Sequence, residues 1–313
     1  MKIFLIKIRN AIIRIIDDNK KNKRSIWENI NHFLIFVFYS YSFFRPKSQK
    51  LKEDLEINSE SFIIKEKFKT IYNQLNQDGH TNLITLKENF SDNLLDEIMS
   101  NEENLVYEKD FGNNLYKQNE KIENYLNRLK ERNINYIKFS TNSKISPSLK
   151  KIFEDDFINK LVYLYLNTKK IYTRNETFIT FANNTDAHSA LKRTNQQYHI
   201  DMMSKKWLKM FIYLNDVDED NGAHSFIKKS HISKKDEKYN LTYYFSDSEI
   251  EEVYQDNKFF TAKGKKNVCF LEDTYGLHKA GFISKGVRMV FSITFSASEN
   301  YFRHKNDEIF YLK

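Results

Sequence analysis

The chain has little cysteine, proline and glycine: one, two and seven of these residues among 313. The single cysteine, Cys269, cannot form an internal disulfide, so nothing implies an oxidising compartment and we expect a cytoplasmic protein. The scarcity of glycine and proline leaves no obvious flexible linker. The strongly aromatic stretch 33–44 is far shorter than the about 20 apolar residues that span a bilayer. The length allows one large domain with an extension.

The net charge of +8 comes from one end of the chain. Residues 1–50 contain eleven Lys or Arg and three Asp or Glu, whereas the remaining residues contain 39 of each sign. Without a basic surplus the main part cannot neutralise phosphates, so a nucleic-acid partner is excluded on charge grounds. We therefore divide the chain into a basic, aromatic extension, residues 1–60, and a main domain, residues 61–313.

Two interpretations of the extension are open. Residues 1–16 mix Ile, Phe and Leu with four basic residues, which fits a basic amphipathic helix. Residues 1–50 could thus form a peripheral membrane contact, where each basic residue adds roughly 1 kcal/mol. Alternatively, the extension packs on the main domain or on a second subunit. The sequence does not give the oligomeric state.

Helical patterns precede strand-like patterns along the main domain. The predicted helices are 62–77 with a stop at Gly79, a helix capped by Ser91 that runs to about Met99, 117–131, and one that starts at Ser146-Pro147 and continues to about Leu166. The predicted strands are 81–86, 177–182, 207–217, 226–227, 267–271 and 287–295. This layout predicts an α+β protein with a mainly β core, braced by N-terminal helices.

The most informative pattern is His199-Ile200-Asp201, followed by His278 and, ten residues later, Arg288. One His-x-acid spacing is expected by chance from eight histidines and 42 acidic residues. The surrounding sequence must therefore show whether this motif binds a metal. The first motif precedes the apolar, strand-like stretch 207–217. Two imidazoles and one carboxylate on one face of a six-coordinate ion form the facial triad of non-haem Fe(II) oxygenases. An arginine just past the last ligand suits an acidic co-substrate.

Further motifs surround these residues: Tyr-His-Ile-Asp, Leu-Asn-Asp-Val-Asp-Glu-Asp-Asn-Gly-Ala, Ser-His, Asp-Thr-Tyr-Gly-Leu-His-Lys-Ala-Gly and Gly-Val-Arg. With them, the segment 199–298 resembles the phytanoyl-CoA dioxygenase family. The resemblance implies a double-stranded β-helix, which is a jelly-roll, cupin-like fold, and the use of Fe(II), 2-oxoglutarate and O2. It implies that His199 and Asp201 bind the metal from the end of one strand and that His278 binds it from the opposite sheet. Arg288 would then pair with the distal carboxylate of 2-oxoglutarate.

Strand alternation adds candidates for the co-substrate pocket. Aligned to the family by the Asn221-Gly222 turn, Phe211 falls where a large side chain often lines this pocket. Every second residue of this strand, counted from Phe211, points to the same face of the sheet. The predicted cofactor-binding set is Arg288, Phe211, Tyr213, Lys209, Ser292 and Gln197, in which Lys209, Tyr213 and Ser292 assist Arg288.

Other histidines are expected not to coordinate the iron. His224 and His231 are expected to be structural or to support the ligands from outside. Ala280 departs from the family, some of whose members have a serine there, so one hydroxyl contact to 2-oxoglutarate is absent.

Together these features predict a dioxygenase that hydroxylates an aliphatic C–H bond of a small or lipid-like metabolite and releases succinate and CO2. Asp201 favours hydroxylation, because the related halogenases have a small residue at this place. Two alternatives stay open. The same triad could perform desaturation, ring formation or halogenation, or the chain could be a non-catalytic β-helix protein that binds a ligand or a membrane.

Overall fold

The computed structural model describes residues 45–87, 89–100, 106–107, 119–134, 136–141, 146–182, 195–201, 204–233, 244–255, 258–299 and 307–312. Its helices are α1 (Phe68–Asp78), α2 (Phe90–Ser100), α3 (Ile122–Glu131), α4 (Pro147–Glu154), α5 (Asp156–Leu166) and α6 (Asp247–Glu251). Its strands are β1 (Phe62–Ile63), β2 (Ile84–Leu86), β3 (Val106–Tyr107), β4 (Tyr136–Ser140), β5 (Lys170–Phe181), β6 (Tyr198–His199), β7 (Trp207–Tyr213), β8 (His224–Ile227), β9 (Tyr244–Phe245), β10 (Phe259–Ala262), β11 (Val268–Glu272), β12 (His278–Lys279), β13 (Val287–Ser296) and β14 (Glu308–Tyr311).

The strands of the described residues form two antiparallel sheets that face each other. The nine-stranded sheet has the order β1-β2-β11-β7-β13-β5-β4-β3, with β14 paired to β5, and the five-stranded sheet has the order β10-β8-β12-β6-β9. Their inner faces touch: the Tyr213 hydroxyl donates to the Ala262 carbonyl at 2.6 Å. The Phe211 and His224 rings lie 4.9 Å apart. This architecture is the predicted double-stranded β-helix.

The larger sheet has one apolar face and one polar face, as β13 illustrates. Met289, Phe291 and Ile293 point into the main hydrophobic core. Arg288 and Ser292 alternate with them and face the smaller sheet. The core also receives helix residues, among them Leu75, Leu94, Leu149 and Leu161. A buried side chain of this size stabilises a fold by about 1.5–3 kcal/mol, so the helices are held on this outer face and leave the inner face to the site.

The first predicted helix begins later than its sequence pattern indicated. Phe62 lies in β1, where it pairs with Leu86 of β2, and α1 starts at Phe68. The predicted stop is confirmed, because Gly79 ends α1 in the left-handed conformation with φ 91°. A Cβ atom at Gly79 would lie 2.7 Å from the Phe226 ring, so this end of the helix also needs glycine for packing.

The predicted helix start at Ser146 is confirmed, but the helix does not run on to Leu166 without a break. The Ser146 hydroxyl accepts a hydrogen bond from the Leu149 N–H, with proline at the first helical position. The chain then leaves the helical conformation at Asp155, whose carboxylate caps α5 by accepting from the Phe157 N–H. Apolar spacing continues across this break, so the sequence pattern did not reveal it.

Ser91 was expected to cap a helix but lies inside it. Helix α2 begins at Phe90, and the Ser91 hydroxyl donates to the Tyr213 carbonyl at 3.0 Å. The Ser91 N–H donates to the Asn267 side chain at 2.7 Å. The side chain of Asn267, a residue from another loop, therefore accepts one of the free N–H groups at the start of the helix, a role that was expected of the Ser91 side chain.

Strand positions follow the predictions, with shifted ends. Strand β5 begins at Lys170, seven residues before the predicted Thr177, and pairs with β13 over residues 172–181. Its first half carries Thr173, Arg174 and Asn175, polar residues that hide the strand pattern from sequence analysis. Strand β7 ends at Tyr213 rather than continuing to residue 217.

Residues 45–60 pack on the main domain. The Gln49 N–H donates to the Leu164 carbonyl, and Leu51 and Leu55 contact the hydrophobic core. The Asp155 carboxylate accepts the N–H groups of residues 60 and 61 at 3.0 and 2.9 Å. Residues 1–44 lie outside the described residues, so their membrane contact and the boundary at residue 60 stay predictions. In the described ranges, no helix is both long and apolar enough to cross a membrane.

Candidate metal centre

His199 and His278 lie directly opposite each other on adjacent strands. Strand β12 pairs with β6 in the register His278 to His199, and the ring centroids are 4.2 Å apart. The expectation that His278 comes from the opposite sheet is therefore wrong, since both histidines belong to the five-stranded sheet. Directly paired residues of an antiparallel ladder point to the same side, which is why the two rings meet.

Asp201 completes a compact group with these histidines. It lies two residues beyond His199, and its backbone N–H donates to the Thr274 carbonyl at 2.8 Å. Its carboxylate oxygens lie 3.9 Å from Nε2 of His199 and 3.7 Å from Nε2 of His278. Two atoms that each lie about 2.1 Å from one ion are at most about 4.2 Å apart, so these distances fit a shared metal ion.

Backbone carbonyls fix the tautomers of both histidines. Nδ1 of His199 lies 2.9 Å from the Gln197 carbonyl oxygen, and Nδ1 of His278 lies 3.0 Å from that of Gly276. A carbonyl only accepts, so each Nδ1 donates and each Nε2 offers a lone pair to the centre. Burial lowers the pKa of both imidazoles and keeps them neutral, the form that binds metals.

Lys209 does not accompany Arg288 but forms an ion pair with Asp201, the carboxylate of the candidate metal centre. Its Nζ donates to Oδ2 of Asp201 at 2.7 Å. Burial alone would raise the pKa of Asp201, but Lys209, His278 and His199 together lower it below its ordinary value. Asp201 is thus held ionised, with Oδ1 not engaged by the lysine. The expectation that Lys209 assists Arg288 does not match this contact.

Arg288 is a buried guanidinium that has no carboxylate partner among the described residues. Its Nη1 donates to the carbonyls of Gly222 and Gly281, the second at 3.4 Å. Burial lowers the pKa of Arg288 to about 10. A buried cation without a counter-charge is unfavourable on its own, so this end of the site is suited to an anion.

One cavity connects the candidate metal ligands with Arg288. It contains about 620 Å³ of empty space, its open mouth included. Its lining combines polar and apolar side chains: Tyr136, Phe178, Thr180, Asn195, His199, Asp201, Lys209, Phe211, Tyr213, His224, Phe270, His278, Ala280, Arg288 and Val290. A small molecule in this cavity can reach the three ligands and the guanidinium at once.

The remaining predicted pocket residues differ in their positions. Phe211 and Tyr213 line the cavity, but the Tyr213 hydroxyl already donates to the Ala262 carbonyl. Ser292 is fully buried and pairs with Phe211, and it is not among the lining residues. Gln197 acts through its backbone carbonyl, which orients His199. Of the predicted cofactor-binding residues, Arg288, Phe211, Tyr213 and Lys209 line the cavity, whereas Ser292 and Gln197 are not among its lining residues.

Sequence analysis missed Thr180 and gave no partner for His224. Thr180 pairs directly with Arg288 across β5 and β13, and its buried hydroxyl has no hydrogen-bond partner in the part of the chain that the structure describes. His224 shares a hydrogen bond of 2.8 Å between its Nε2 and Oε2 of Glu272, which supports the expected structural role. Alternation along β5 would have indicated Thr180 only if the pairing of β5 with β13 had been known.

A buried ion pair lies on the face of the larger sheet that also carries Thr180 and Arg288. This pair predicts that the stability of the fold depends on pH. Nζ of Lys138 lies 2.8 Å from Oε1 of Glu176. Burial would raise the pKa of Glu176, but Lys138, Arg174 and Lys209 lower it from 4.5 to about 2. A lowered carboxyl pKa stabilises the fold above the unfolded value, so about 3 kcal/mol is lost as the pH falls from 4.5 to about 2.

Glu176→Gln tests this expectation by urea unfolding at a series of pH values. The variant should have a lower free energy of unfolding at pH 7 and a flatter decline below pH 4.5. The exposed Glu131, changed to glutamine, is the matched control and should follow the wild-type profile. A Glu176→Gln profile that is parallel to the wild-type profile would contradict the assignment.

Comparisons with other proteins give a distant similarity of shape. No protein-family model matches the chain, and no curated protein matches it. The non-heme alpha ketoglutarate dependent epimerase SnoN from nogalamycin biosynthesis is 13% identical, with a TM-score of 0.48 over 73% of this chain and 80% of that chain. HygX from Streptomyces hygroscopicus, with nickel and 2-oxoglutarate bound, is 10% identical, with a TM-score of 0.47 over 72% and 86%.

EctD from S. alaskensis, with bound Fe, is 14% identical, with a TM-score of 0.44 over 82% of this chain and 90% of that chain. All three TM-scores are below 0.5, so we draw no chemistry from them. The strand pairing and the facing sheets of this chain carry the fold assignment by themselves.

Proposed function

We propose that this protein is an Fe(II)- and 2-oxoglutarate-dependent dioxygenase that hydroxylates an aliphatic C–H bond of a small or lipid-like metabolite. The observation that carries the proposal is a single cavity with a histidine–aspartate–histidine group at one end and, at the other, a buried guanidinium that has no carboxylate partner among the described residues. Membership of the phytanoyl-CoA dioxygenase family stays a prediction.

The donor set fits a ferrous ion. Two neutral imidazoles and one carboxylate leave part of the coordination sphere free and suit non-haem iron. His199, Asp201 and His278 would hold the ion. When iron is bound, it supplies the oxidative chemistry in which O2, 2-oxoglutarate and a C–H bond give succinate, CO2 and a C–OH group.

The protein supplies co-substrate binding at the other end of the cavity. Arg288 can donate two parallel charge-assisted hydrogen bonds to a carboxylate, which would neutralise its buried charge. The hydroxyl of Thr180, directly opposite on β5, has no partner among the described residues and can donate a further bond to the same carboxylate. A five-carbon diacid would in this way be fixed at its distal end, with its 2-oxo acid end toward the metal ligands.

The rest of the lining controls water and the substrate. The Phe178, Phe211, Phe270 and Val290 side chains offer an apolar surface that excludes water from the reacting centre. The same surface favours an aliphatic substrate over a strongly charged one. Asp201 would be the third protein ligand of the metal, which supports hydroxylation over halogenation at this site.

Anaerobic titration of the purified full chain tests the proposal. Fe(II) followed by 2-oxoglutarate should give a weak visible charge-transfer band at about 500–530 nm. Succinate in place of 2-oxoglutarate should give no band, because it lacks the 2-oxo group that chelates. Admission of O2 should then yield equal amounts of succinate and CO2. An iron-loaded protein that gives neither the band nor succinate would refute the proposed function.

A further inference from the structure

The loop of residues 273–278 holds two of the three candidate metal ligands through its backbone. The Thr274 carbonyl accepts the Asp201 N–H at 2.8 Å. The Gly276 carbonyl accepts Nδ1–H of His278 at 3.0 Å. The loop therefore sets both the position of the carboxylate and the orientation of one imidazole. Any shift of these two carbonyls would therefore move Asp201 and His278 together.

Asp273 fixes the conformation of this loop. Its N–H donates to the Gly79 carbonyl at 2.8 Å, and its own carbonyl accepts the Gly276 N–H at 2.9 Å. Its carboxylate accepts the Tyr275 N–H at 3.1 Å. The side chain is 1% exposed, so the charge needs partners inside the protein.

Arg45 supplies the counter-charge from a segment 228 residues away. Its Nη1 and Nη2 each donate to one carboxylate oxygen of Asp273 at 3.1 Å, a bidentate pair. The guanidinium carbon lies 4.2 Å from the Tyr275 ring centroid and 4.7 Å from the Trp207 ring centroid. The Tyr165 hydroxyl donates to the same carboxylate at 2.5 Å. Each of these groups is buried, so the pair is protected from solvent screening.

We propose that Arg45 is a positioning residue of the metal centre, which acts through Asp273 on the loop that orients Asp201 and His278. The proposal rests on the proposed function, because it assigns Arg45 a role toward the ion that these ligands would hold. It makes Arg45 a part of the site, although this residue contributes no ligand. A residue that supports ligands in this way typically changes metal affinity by about 10–100-fold when it is removed.

The test measures Fe(II) and Co(II) affinity of the full-length chain by anaerobic titration. Arg45→Met should weaken metal binding by about 10–100-fold, and Arg45→Lys, which keeps the charge but loses the fork, should weaken it less. Arg45→Met combined with Asp273→Asn should bind metal more tightly than Arg45→Met alone, because no unpaired carboxylate is then left in the loop.

The matched control is Arg174→Met. Arg174 forms a similar but slightly more exposed bidentate pair with Asp307, at 2.6 and 2.8 Å. Within the described residues, no hydrogen bond joins Arg174 to the loop of residues 273–278. Its loss should lower the thermal midpoint and leave metal affinity unchanged. If Arg45→Met lowers only the thermal midpoint, or if Arg174→Met weakens metal binding to the same extent, the positioning role is refuted.

The outcomes separate this inference from the proposed function. A wild-type chain that binds no metal refutes both. A wild-type chain that binds metal while Arg45→Met and Arg45→Lys bind it equally well refutes the positioning role alone. If Arg45→Met does not fold, Arg45→Lys and Asp273→Asn decide by the same titration.

Discussion

Replacement of His278 by alanine is expected to weaken Fe(II) binding by more than about 100-fold and to remove the visible band with 2-oxoglutarate. Loss of a residue that only supports a ligand typically weakens binding about 10–100-fold, so the loss of a ligand should weaken it further. The imidazole offers its Nε2 to the centre because Nδ1 is bound to the Gly276 carbonyl. His199→Ala should have the same effect. Anaerobic titration with Fe(II) measures both.

His80→Ala is the matched control for these variants. Nδ1 of His80 also lies 2.9 Å from a backbone carbonyl oxygen, that of Thr81, and the residue is 3% exposed. Among the described residues, no carboxylate and no second histidine forms a metal-binding group with His80, and its Nε2 has no hydrogen-bond partner. The control should bind Fe(II) as the wild type does. Unchanged affinity in His278→Ala, or an equal loss in His80→Ala, would remove the assignment of the metal centre.

Replacement of Arg288 by methionine is expected to weaken 2-oxoglutarate binding by about 100-fold or more while metal affinity stays unchanged. Two charge-assisted hydrogen bonds contribute about 1.5–3 kcal/mol each, and a tenfold change corresponds to about 1.4 kcal/mol. The variant should lose little or no folding stability, because it removes a buried charge that has no counter-charge in the described residues. A substitution that weakens ligand binding and leaves the folding stability nearly unchanged is typical of a residue that serves function and not stability.

Isothermal titration with 2-oxoglutarate and a thermal unfolding curve measure the two quantities. Arg288→Lys should bind the diacid with intermediate affinity, since the charge is kept and the fork is lost. Thr180→Val is the matched change on the opposite strand and should cause a smaller loss. If Arg288→Met binds 2-oxoglutarate as tightly as the wild type does, the co-substrate is not held at this end of the cavity.

Local patterns in the sequence predicted the parts of the fold that depend on neighbouring residues. The spacing of His199 and Asp201 places both on one side of an extended segment, and apolar runs marked β7, β11 and β13. The proline after Ser146 marked a helix start that the structure confirms. These features need no knowledge of which strands pair.

Features that depend on pairing could not be predicted. The direct opposition of His199 and His278 requires β12 to lie beside β6, and the sequence does not encode that neighbour locally. The same holds for Lys209, whose partner Asp201 was missed, and for Thr180, which faces Arg288 only through the register of β5 with β13. The break at Asp155 lies within continuous apolar spacing, so periodicity alone did not reveal it.

The main-chain ladder between β6 and β12 has a consequence for how this protein can vary. Because the two imidazoles are opposite each other in one antiparallel pair, their separation is a property of the backbone and not of a flexible loop. The loss or gain of one residue between Asp273 and His278 would turn the imidazole at 278 to the other side of the sheet. We therefore expect related sequences to tolerate length changes elsewhere and to keep this spacing constant.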